Sequence, residues 1–112
     1  MKKNKISKNW INRQKRDIYV RKAKVEGFRS RAVYKIEEIN NKFRFIKNNI
    51  SVVDLGAAPG SWSQYIAKKV RNLKLLAIDL KEIEPIENIK FIKGDFTEEI
   101  QKNSIINCFE NK

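Results

Sequence analysis

Three observations in the sequence predict an α/β fold with a parallel sheet. Two short apolar runs, residues 50–55 and 73–79, have the length of buried strands, which we expect at residues 51–55 and 74–79. Between them, residues 61–70 place apolar side chains with the period of a helix, and we expect Trp62, Tyr65 and Ile66 to face inward. A glycine-rich turn at residues 56–60 joins the first run to that helix. Because strand, helix and strand follow one another, we expect a right-handed crossover that makes the two strands parallel neighbours.

The N-terminal part of the chain predicts a helix over residues 10–26. Ile18, Tyr19 and Ala23 are spaced so that they could line one face of it. Gly27 follows directly and is suited to end a helix, since glycine adopts the left-handed conformation at little cost.

A second helix is expected after Ser30, whose hydroxyl could cap it. Apolar residues then recur at spacings of 4, 3 and 4, which predicts a buried stripe. The stripe consists of Ala32, Ile36, Ile39 and Phe43.

The C-terminal part predicts a third strand and a last helix. The strand is expected at residues 89–93, and Thr97 is placed to cap a helix after it. Residues 103–112 are only weakly patterned. In a doubly wound sheet these strands would lie in the order 3-2-1, and the first strand would pair on its other side with a fourth. The sequence ends before a fourth strand, so we expect that side to be open.

Positive charge is concentrated in the N-terminal third. The 112 residues carry 25 Lys+Arg and 13 Asp+Glu, a formal net charge of +12. Residues 1–35 hold 13 of these basic residues and only two acidic ones. Such a segment is typical of a surface that meets a polyanion. Four side chains are candidate phosphate contacts for such a polyanion, although the arginines could also form a solvated face: Lys22, Lys24, Arg29 and Arg31.

Several kinds of site are excluded. The single Cys108 cannot form an internal disulfide, and without histidine it cannot build a thiolate metal site. Hence we expect no metal. No apolar run approaches 18 residues, and the N-terminus lacks the apolar core of a secretory signal. We therefore expect a cytoplasmic protein without a membrane partner. A mitochondrial presequence is the alternative, because the first residues are rich in Lys.

The turn after the first strand predicts a nucleotide-type cofactor. Its glycines, Gly56 and Gly60, let a ligand approach the backbone. The pattern D-x-G-x-x-P-G lacks two glycines of the dinucleotide motif and has no P-loop lysine. Asp54, before the first glycine, would repel a pyrophosphate but suits a cationic amine or sulfonium. Asp79 ends the second strand, about where dinucleotide folds place the carboxylate for the ribose. The turn thus resembles that of S-adenosylmethionine-dependent methyltransferases, the alternative being an ordinary turn of another α/β domain.

Longer segments resemble one family, the FtsJ-like ribosomal RNA 2'-O-methyltransferases of the RlmE type. Order and spacing agree over most of residues 10–100. The matching segments are residues 19–24, G-F-R-S-R-A-V-Y-K-I at 27–36, V-V-D-L-G-A-A-P-G-S-W-S-Q-Y at 52–65, D-L at 79–80 and G-D-F at 94–96. The resemblance implies the N-terminal half of a Rossmann-like methyltransferase fold, with parallel strands 3-2-1 and helices, preceded by basic helices. It divides the chain into an RNA-binding segment, residues 1–46, and a partial S-adenosylmethionine-binding domain, residues 47–112.

The resemblance also implies roles for single residues. Gly60 and Trp62 would contact the cofactor through backbone and stacking, with Asp54 and Gly56 in the same site. Asp79 would hold the ribose, and Asp95 the adenine amine. Lys35 matches the first lysine of the family's catalytic Lys-Asp-Lys-Glu set. Ser61 departs from the family, which commonly has glycine there.

Each role has a plainer alternative. Lys35 could be a surface lysine three residues before Glu38. Trp62 could be a core side chain, and Asp95 could be a turn former beside Gly94.

The other members of the catalytic set would lie beyond Lys112. We therefore expect this chain to be inactive alone, as a fragment, a decayed gene product or one piece of a split enzyme. In the last case a second chain would supply the C-terminal half. The expected substrate is a uridine ribose in large-subunit ribosomal RNA or the 50S particle. The competing functions are a non-catalytic RNA-binding remnant and an unrelated nucleotide-binding domain, such as half of a dehydrogenase.

Overall fold

The computed structural model describes the backbone of residues 3–110 and the side chains of residues 8–110. Four helices and three strands in residues 3–110 form an α/β fold. In chain order they are α1 (Lys3–Glu26), α2 (Val33–Phe43), β1 (Ser51–Leu55), α3 (Ser61–Lys69), β2 (Lys74–Asp79), β3 (Lys90–Lys93) and α4 (Glu99–Glu110). The predicted bounds of β1 and β2 are confirmed, and those of α3 and β3 are correct to one residue.

The strands form one parallel sheet with β2 in the middle. β1 pairs with β2 in a register that joins Leu55 to Ile78, and Ile78 in turn lies opposite Ile92 of β3. The predicted order 3-2-1 is therefore confirmed. Residues 75–78 of β2 are at most 4% exposed, as expected for a central parallel strand. Among residues 3–110, no strand pairs with the outer side of β1.

The core lies between the sheet and the two helices α2 and α3. It is formed by seven buried residues that pack together: Val33, Ile36, Ala57, Tyr65, Ile66, Leu75 and Ala77. The inward orientation expected of Tyr65 and Ile66 is confirmed, because both are at most 4% exposed. Trp62 instead lies at the surface with 37% of its area exposed.

The buried face of α2 differs from the predicted stripe. Val33 and Ile36 are buried, whereas Ala32 and Phe43 are exposed. The carbonyl of Ala32 accepts a hydrogen bond from the Trp62 indole. This contact fixes the start of α2 with Val33 turned inward, a rotation that the spacing of apolar residues alone does not reveal.

α1 touches the rest of the molecule mainly through its C-terminal end. Ala23 is 2% exposed, but Ile18 and Tyr19 are about half exposed, so the predicted apolar face is wrong for those two residues. The helix begins at Lys3, earlier than predicted, and ends before Gly27, whose φ of +82° confirms the predicted stop. No helix among residues 3–110 is long and apolar enough to cross a membrane.

Neither predicted cap is observed. The N-cap of α2 is Ala32, while the Ser30 hydroxyl lies 2.8 Å from the Ser61 hydroxyl and accepts from the Ala32 amide. The Thr97 hydroxyl donates to Asp95 two residues earlier, in the turn that precedes α4. In both cases the hydroxyl bonds to a local or tertiary partner, and such bonds compete with helix capping. α4 continues through the weakly patterned residues as far as Glu110.

Candidate functional site

The turn from β1 to α3 lies against the carboxyl end of β2. The amides of Gly56 and Ala57 donate to the carbonyl of Ile78 at 2.9 and 3.1 Å. Gly56 has φ +69° and Gly60 has φ +113°, conformations that other residues rarely adopt. A Cβ placed on Gly56 would have nothing within 4 Å. The backbone at Gly56 is therefore open to a ligand.

Two carboxylates border this turn. Asp54 is half-buried and accepts a 2.6 Å hydrogen bond from the Ser63 hydroxyl. Burial raises the pKa of Asp54, the Ser63 bond opposes that rise, and the charge of Asp79 adds to it. Asp79 accepts from the amides of Lys81 and Ala58, which hold its pKa below the ordinary value. The turn therefore presents negative charge at the edge of the sheet.

Two hollows meet at Ala58 and Pro59. One, of about 250 Å³, is lined by the turn together with Asp54 and Trp62, and Gly60 lies within that turn. The other, of about 410 Å³, is lined by residues that include Asp79. Binding sites for drug-sized ligands usually occupy about 300–1,000 Å³. Because the two hollows adjoin, a ligand of nucleoside size could occupy both of them and lie beside both carboxylates.

Asp95 lies at the same edge of the sheet, after β3. The amide of Gly94 donates to the carbonyl of Asp79 at 2.9 Å, which brings the two loops together. The Asp95 carboxylate accepts from the hydroxyl and the amide of Thr97, and these bonds lower its pKa. The three aspartates predicted for the cofactor site thus lie at the carboxyl ends of three neighbouring strands.

The segment 28–32 docks onto the turn and α3, which the sequence analysis did not predict. The hydroxyls of Ser30 and Ser61 are 2.8 Å apart, and the Trp62 indole donates to the Ala32 carbonyl at 2.8 Å. These partners are about 30 residues apart in the sequence. No local pattern signals such contacts; only the presence of both segments in one family resemblance points to them.

Arg29 forms further bonds with the turn and with the loop after β2. Its backbone amide donates to the side-chain oxygen of Gln64 at 2.9 Å. Its guanidinium donates to the carbonyls of Pro59 at 3.0 Å, Glu84 at 2.5 Å and Pro85 at 2.9 Å. The structure therefore places Arg29 at the side of the turn that faces the loop of residues 80–88.

A groove between α1 and α2 is lined by three of the basic residues predicted to be functional. It has a volume of about 530 Å³, and Lys22, Arg31 and Lys35 all line it. Lys24 and Arg29 are not among its lining residues. Ala32 lines both this groove and the smaller hollow of the turn, so the two sites adjoin.

Aromatic side chains form one wall of the groove. The rings of Tyr19 and Tyr34 are 5.5 Å apart, and the Lys22 ammonium lies 4.6 Å from the centre of the Tyr34 ring. The Tyr34 hydroxyl donates to the Glu26 carboxylate. Burial and that bond raise the pKa of Tyr34 above its ordinary value. The groove thus offers cations and flat rings, the two features that bind nucleic acid strands.

Known proteins similar to this chain are ribosomal RNA methyltransferases. The chain is 58% identical over its full length to a ribosomal RNA large subunit methyltransferase E of Pelagibacter ubique, covering 55% of that protein. It is 48% identical to the protein of the same name from Rickettsia felis, with 95% of this chain and 49% of that one covered. The chain thus spans about half the length of these relatives.

A solved structure agrees with the sequence matches. A crystal structure described as that of a ribosomal RNA methyltransferase from Plasmodium falciparum superposes with a TM-score of 0.69 and 33% identity, over 76% of this chain and 51% of the other. The profile of the FtsJ-like methyltransferases matches residues 28–112, which hold the docked segment, the turn and all three aspartates. The chain therefore belongs to the FtsJ-like methyltransferase family.

Proposed function

We propose that this chain carries the methyl-donor side of an S-adenosylmethionine-dependent enzyme that methylates a uridine ribose 2'-hydroxyl in large-subunit ribosomal RNA. The observation that carries the proposal is the pair of carboxylates, Asp54 and Asp79, around the open backbone of Gly56. Negative charge at this position disfavours a pyrophosphate and favours a cationic ligand. The names of the relatives support ribosomal RNA as the substrate.

The residues present fit such a cofactor. Asp79 keeps acceptor capacity beyond its two amide bonds, because a carboxylate offers about four lone-pair sites. It would accept hydrogen bonds from ribose hydroxyls. Asp54 would face the cationic end of the ligand, and Asp95 would accept from the adenine amine. Trp62 leaves part of its ring exposed at the hollow and would contact the ligand by stacking. When bound, the sulfonium supplies the methyl group.

The groove between α1 and α2 would bind the RNA. Lys22 and Arg31 would neutralise phosphates, and Lys24 would add to the field from the exposed surface of α1. Lys35 is placed where the groove adjoins the cofactor hollow through Ala32. We assign to Lys35 the task of holding the target nucleotide near the donor, since transfer requires the two reacting atoms in line.

Residues 1–112 alone should not catalyse transfer at a detectable rate. The relatives are about twice as long, and the family resemblance assigns the second catalytic lysine, the general base, to none of residues 1–112. Losing a positioned general base usually costs roughly 10²- to 10⁴-fold in rate. Single-turnover transfer of labelled methyl to unmodified large-subunit RNA tests this, with and without a separate chain that supplies the C-terminal half of a relative. Clear transfer by residues 1–112 alone would contradict the proposal.

Calorimetry with S-adenosylhomocysteine tests the cofactor assignment. Asp79→Asn should weaken binding about tenfold or more, because it replaces a charged acceptor with an amide. Asp17→Asn, on the exposed face of α1, is the matched control and should bind like the unchanged chain. Binding of a nicotinamide dinucleotide in place of S-adenosylhomocysteine would instead support the dehydrogenase alternative. RNA binding without any cofactor binding would support the non-catalytic remnant.

A further inference from the structure

We propose that Arg29 is a positioning residue that clamps the cofactor turn to the loop after β2, and that it is not an RNA phosphate contact. The inference rests on the proposed function. Its basis is the set of three carbonyls that the guanidinium reaches: Pro59 in the turn, and Glu84 and Pro85 in the loop of residues 80–88. One side chain thereby joins two segments that border the cofactor hollows.

The chemistry of the guanidinium explains why arginine stands at this position. It is planar, remains charged, and carries five N–H donors in a fixed fork. Nη1 donates to Pro59 and Glu84, and Nη2 donates to Pro85. A lysine ammonium has a different reach and direction and could not satisfy the same three carbonyls together. Charge-assisted bonds of this kind are stronger than neutral ones.

The packing around Gly60 supports the clamp. A Cβ built on Gly60 would lie 2.9 Å from the Cδ1 atom of Ile86 and 3.3 Å from Nη1 of Arg29. The loop, the turn and the guanidinium are therefore in close contact, with no room for a side chain between them. Gly60 allows this closure, and Arg29 holds it.

The loop of residues 80–88 is held in place by the hydrogen bonds of Arg29. Residues 80–88 contain neither helix nor strand, yet they include Lys81, whose amide holds Asp79, and Glu82, which lines the cofactor hollow. Because Arg29 anchors the distal part of this loop to Pro59, it sets the width of the hollow between them. Pre-organising a site in this way raises affinity by reducing the entropy lost on binding.

The same bonds separate Arg29 from Arg31. The Arg31 side chain is exposed and lines the α1–α2 groove, whereas Arg29 is half-buried and its guanidinium is committed to backbone carbonyls. A guanidinium occupied in this way is poorly placed to bind phosphate. The two arginines of one short motif would therefore act on different ligands.

The test compares four variants of the full chain: Arg29→Lys, Arg29→Gln, Arg31→Lys and Arg31→Gln. Calorimetry measures the affinity for S-adenosylhomocysteine, and filter binding measures the affinity for ribosomal RNA as salt is varied. Hydrogen exchange measures protection of the amides in residues 56–62 and 80–88.

Both Arg29 variants should bind the cofactor product about tenfold more weakly. They should also lose protection in both segments and keep the salt dependence of RNA binding. Arg31→Gln should weaken RNA binding and leave the cofactor product unaffected.

Arg29→Lys is the decisive variant because it preserves the charge and is the less disruptive of the two. Unchanged cofactor affinity and protection in this variant would overturn the clamp, as would a shallower salt slope for Arg29→Gln without loss of protection. If the unchanged chain does not bind S-adenosylhomocysteine, the proposed function fails. In that case hydrogen exchange still decides on the clamp, with loss of protection in both segments supporting it and retained protection overturning it.

Discussion

The carboxylate of Asp54 is half-buried beside a second carboxylate, with Ser63 as its hydrogen-bond donor. Its pKa is raised above the ordinary 3.8, first by burial. The folded state therefore binds a proton at this site more readily than the unfolded state does. The contribution of Asp54 to stability is greatest below pH 3.8 and is lost as the pH rises through the raised folded pKa. At neutral pH the ionised group lowers the free energy of unfolding.

Asp54→Asn should accordingly raise the melting temperature at pH 7 while weakening binding of S-adenosylhomocysteine. The amide oxygen can still accept the Ser63 hydrogen bond, so the local packing is kept. The gain should shrink as the pH is lowered through the raised pKa of Asp54, because the carboxylate itself then becomes protonated. Thermal melts at several pH values, with Asp17→Asn as control, would measure this. A lower melting temperature at pH 7 would show that the ionised carboxylate stabilises the fold.

The two glycines with positive φ in the turn should differ in their response to alanine. Gly56→Ala meets no neighbour and should cost about 1–2 kcal/mol for the left-handed backbone alone. Gly60→Ala also meets the Ile86 Cδ1 atom at 2.9 Å and the Arg29 guanidinium at 3.3 Å, and it should cost more than Gly56→Ala because these side chains must shift. Urea unfolding of the two variants would compare these costs. Equal effects would mean that the loop moves away from Gly60 without loss.

At the scale of elements, the α1–α2 groove should carry the salt-dependent part of RNA binding. Each phosphate contact contributes about 0.7–0.9 to the slope of log affinity against log salt concentration. Lys22→Ala with Arg31→Ala should make the slope shallower by about 1.4–1.8, whereas Lys102→Ala on α4 should not change it. Binding measured between low and moderate salt tests this. A slope that is flat in the unchanged chain would rule out phosphate contacts altogether.

Strands and α3 could be predicted from sequence because their signals are local. The apolar run of β2 and the glycines of the turn each determine structure within a few residues. The rotation of α2 could not be predicted in this way, because Trp62 fixes it through the Ala32 carbonyl from 30 positions away. α1 has so little contact with the rest of the molecule that apolar residues such as Ile18 and Tyr19 stay about half exposed.

The site was only partly predictable, for the same reason. The order of strands places Asp54, Asp79 and Asp95 at one edge of the sheet, so their proximity follows from topology. The position of Arg29 does not, since its partners lie 30 to 56 residues along the chain. A cluster of basic residues in sequence predicts a common function for its members, but folding directs Arg29 and Arg31 to different surfaces.

At the scale of the molecule, the outer side of β1 should promote self-association. Val53 and Leu55 are 36% and 50% exposed, next to a strand edge that is unpaired within residues 3–110. Such edges pair readily with other chains. We expect residues 1–112 to sediment as oligomers or to melt without a sharp transition. A monodisperse monomer with a cooperative melt above about 60 °C, high for an ordinary domain, would contradict this.

Two leucine variants locate the association surface. Leu55→Lys places a charge on the open strand and should shift the chain toward monomer. Leu80→Lys changes a leucine that is 67% exposed but lies outside the strands, and it should leave association unchanged. Sedimentation velocity at equal concentrations compares the two. Equal effects would mean that association follows total apolar exposure and does not depend on the edge.

Ala32, whose carbonyl accepts from the Trp62 indole, lines both the groove and the cofactor hollow. We expect RNA bound in the groove to shift Ala32 and Trp62 together, which would link the two ligands thermodynamically. Linkage is reciprocal: whatever factor RNA imposes on cofactor affinity, the cofactor imposes on RNA affinity. Trp62→Phe removes the indole N–H and should bring that factor close to one, as titrations of each ligand in the presence of the other would measure. The hydrogen bond between Trp62 and Ala32 would then make the affinity for S-adenosylmethionine depend on whether RNA occupies the groove.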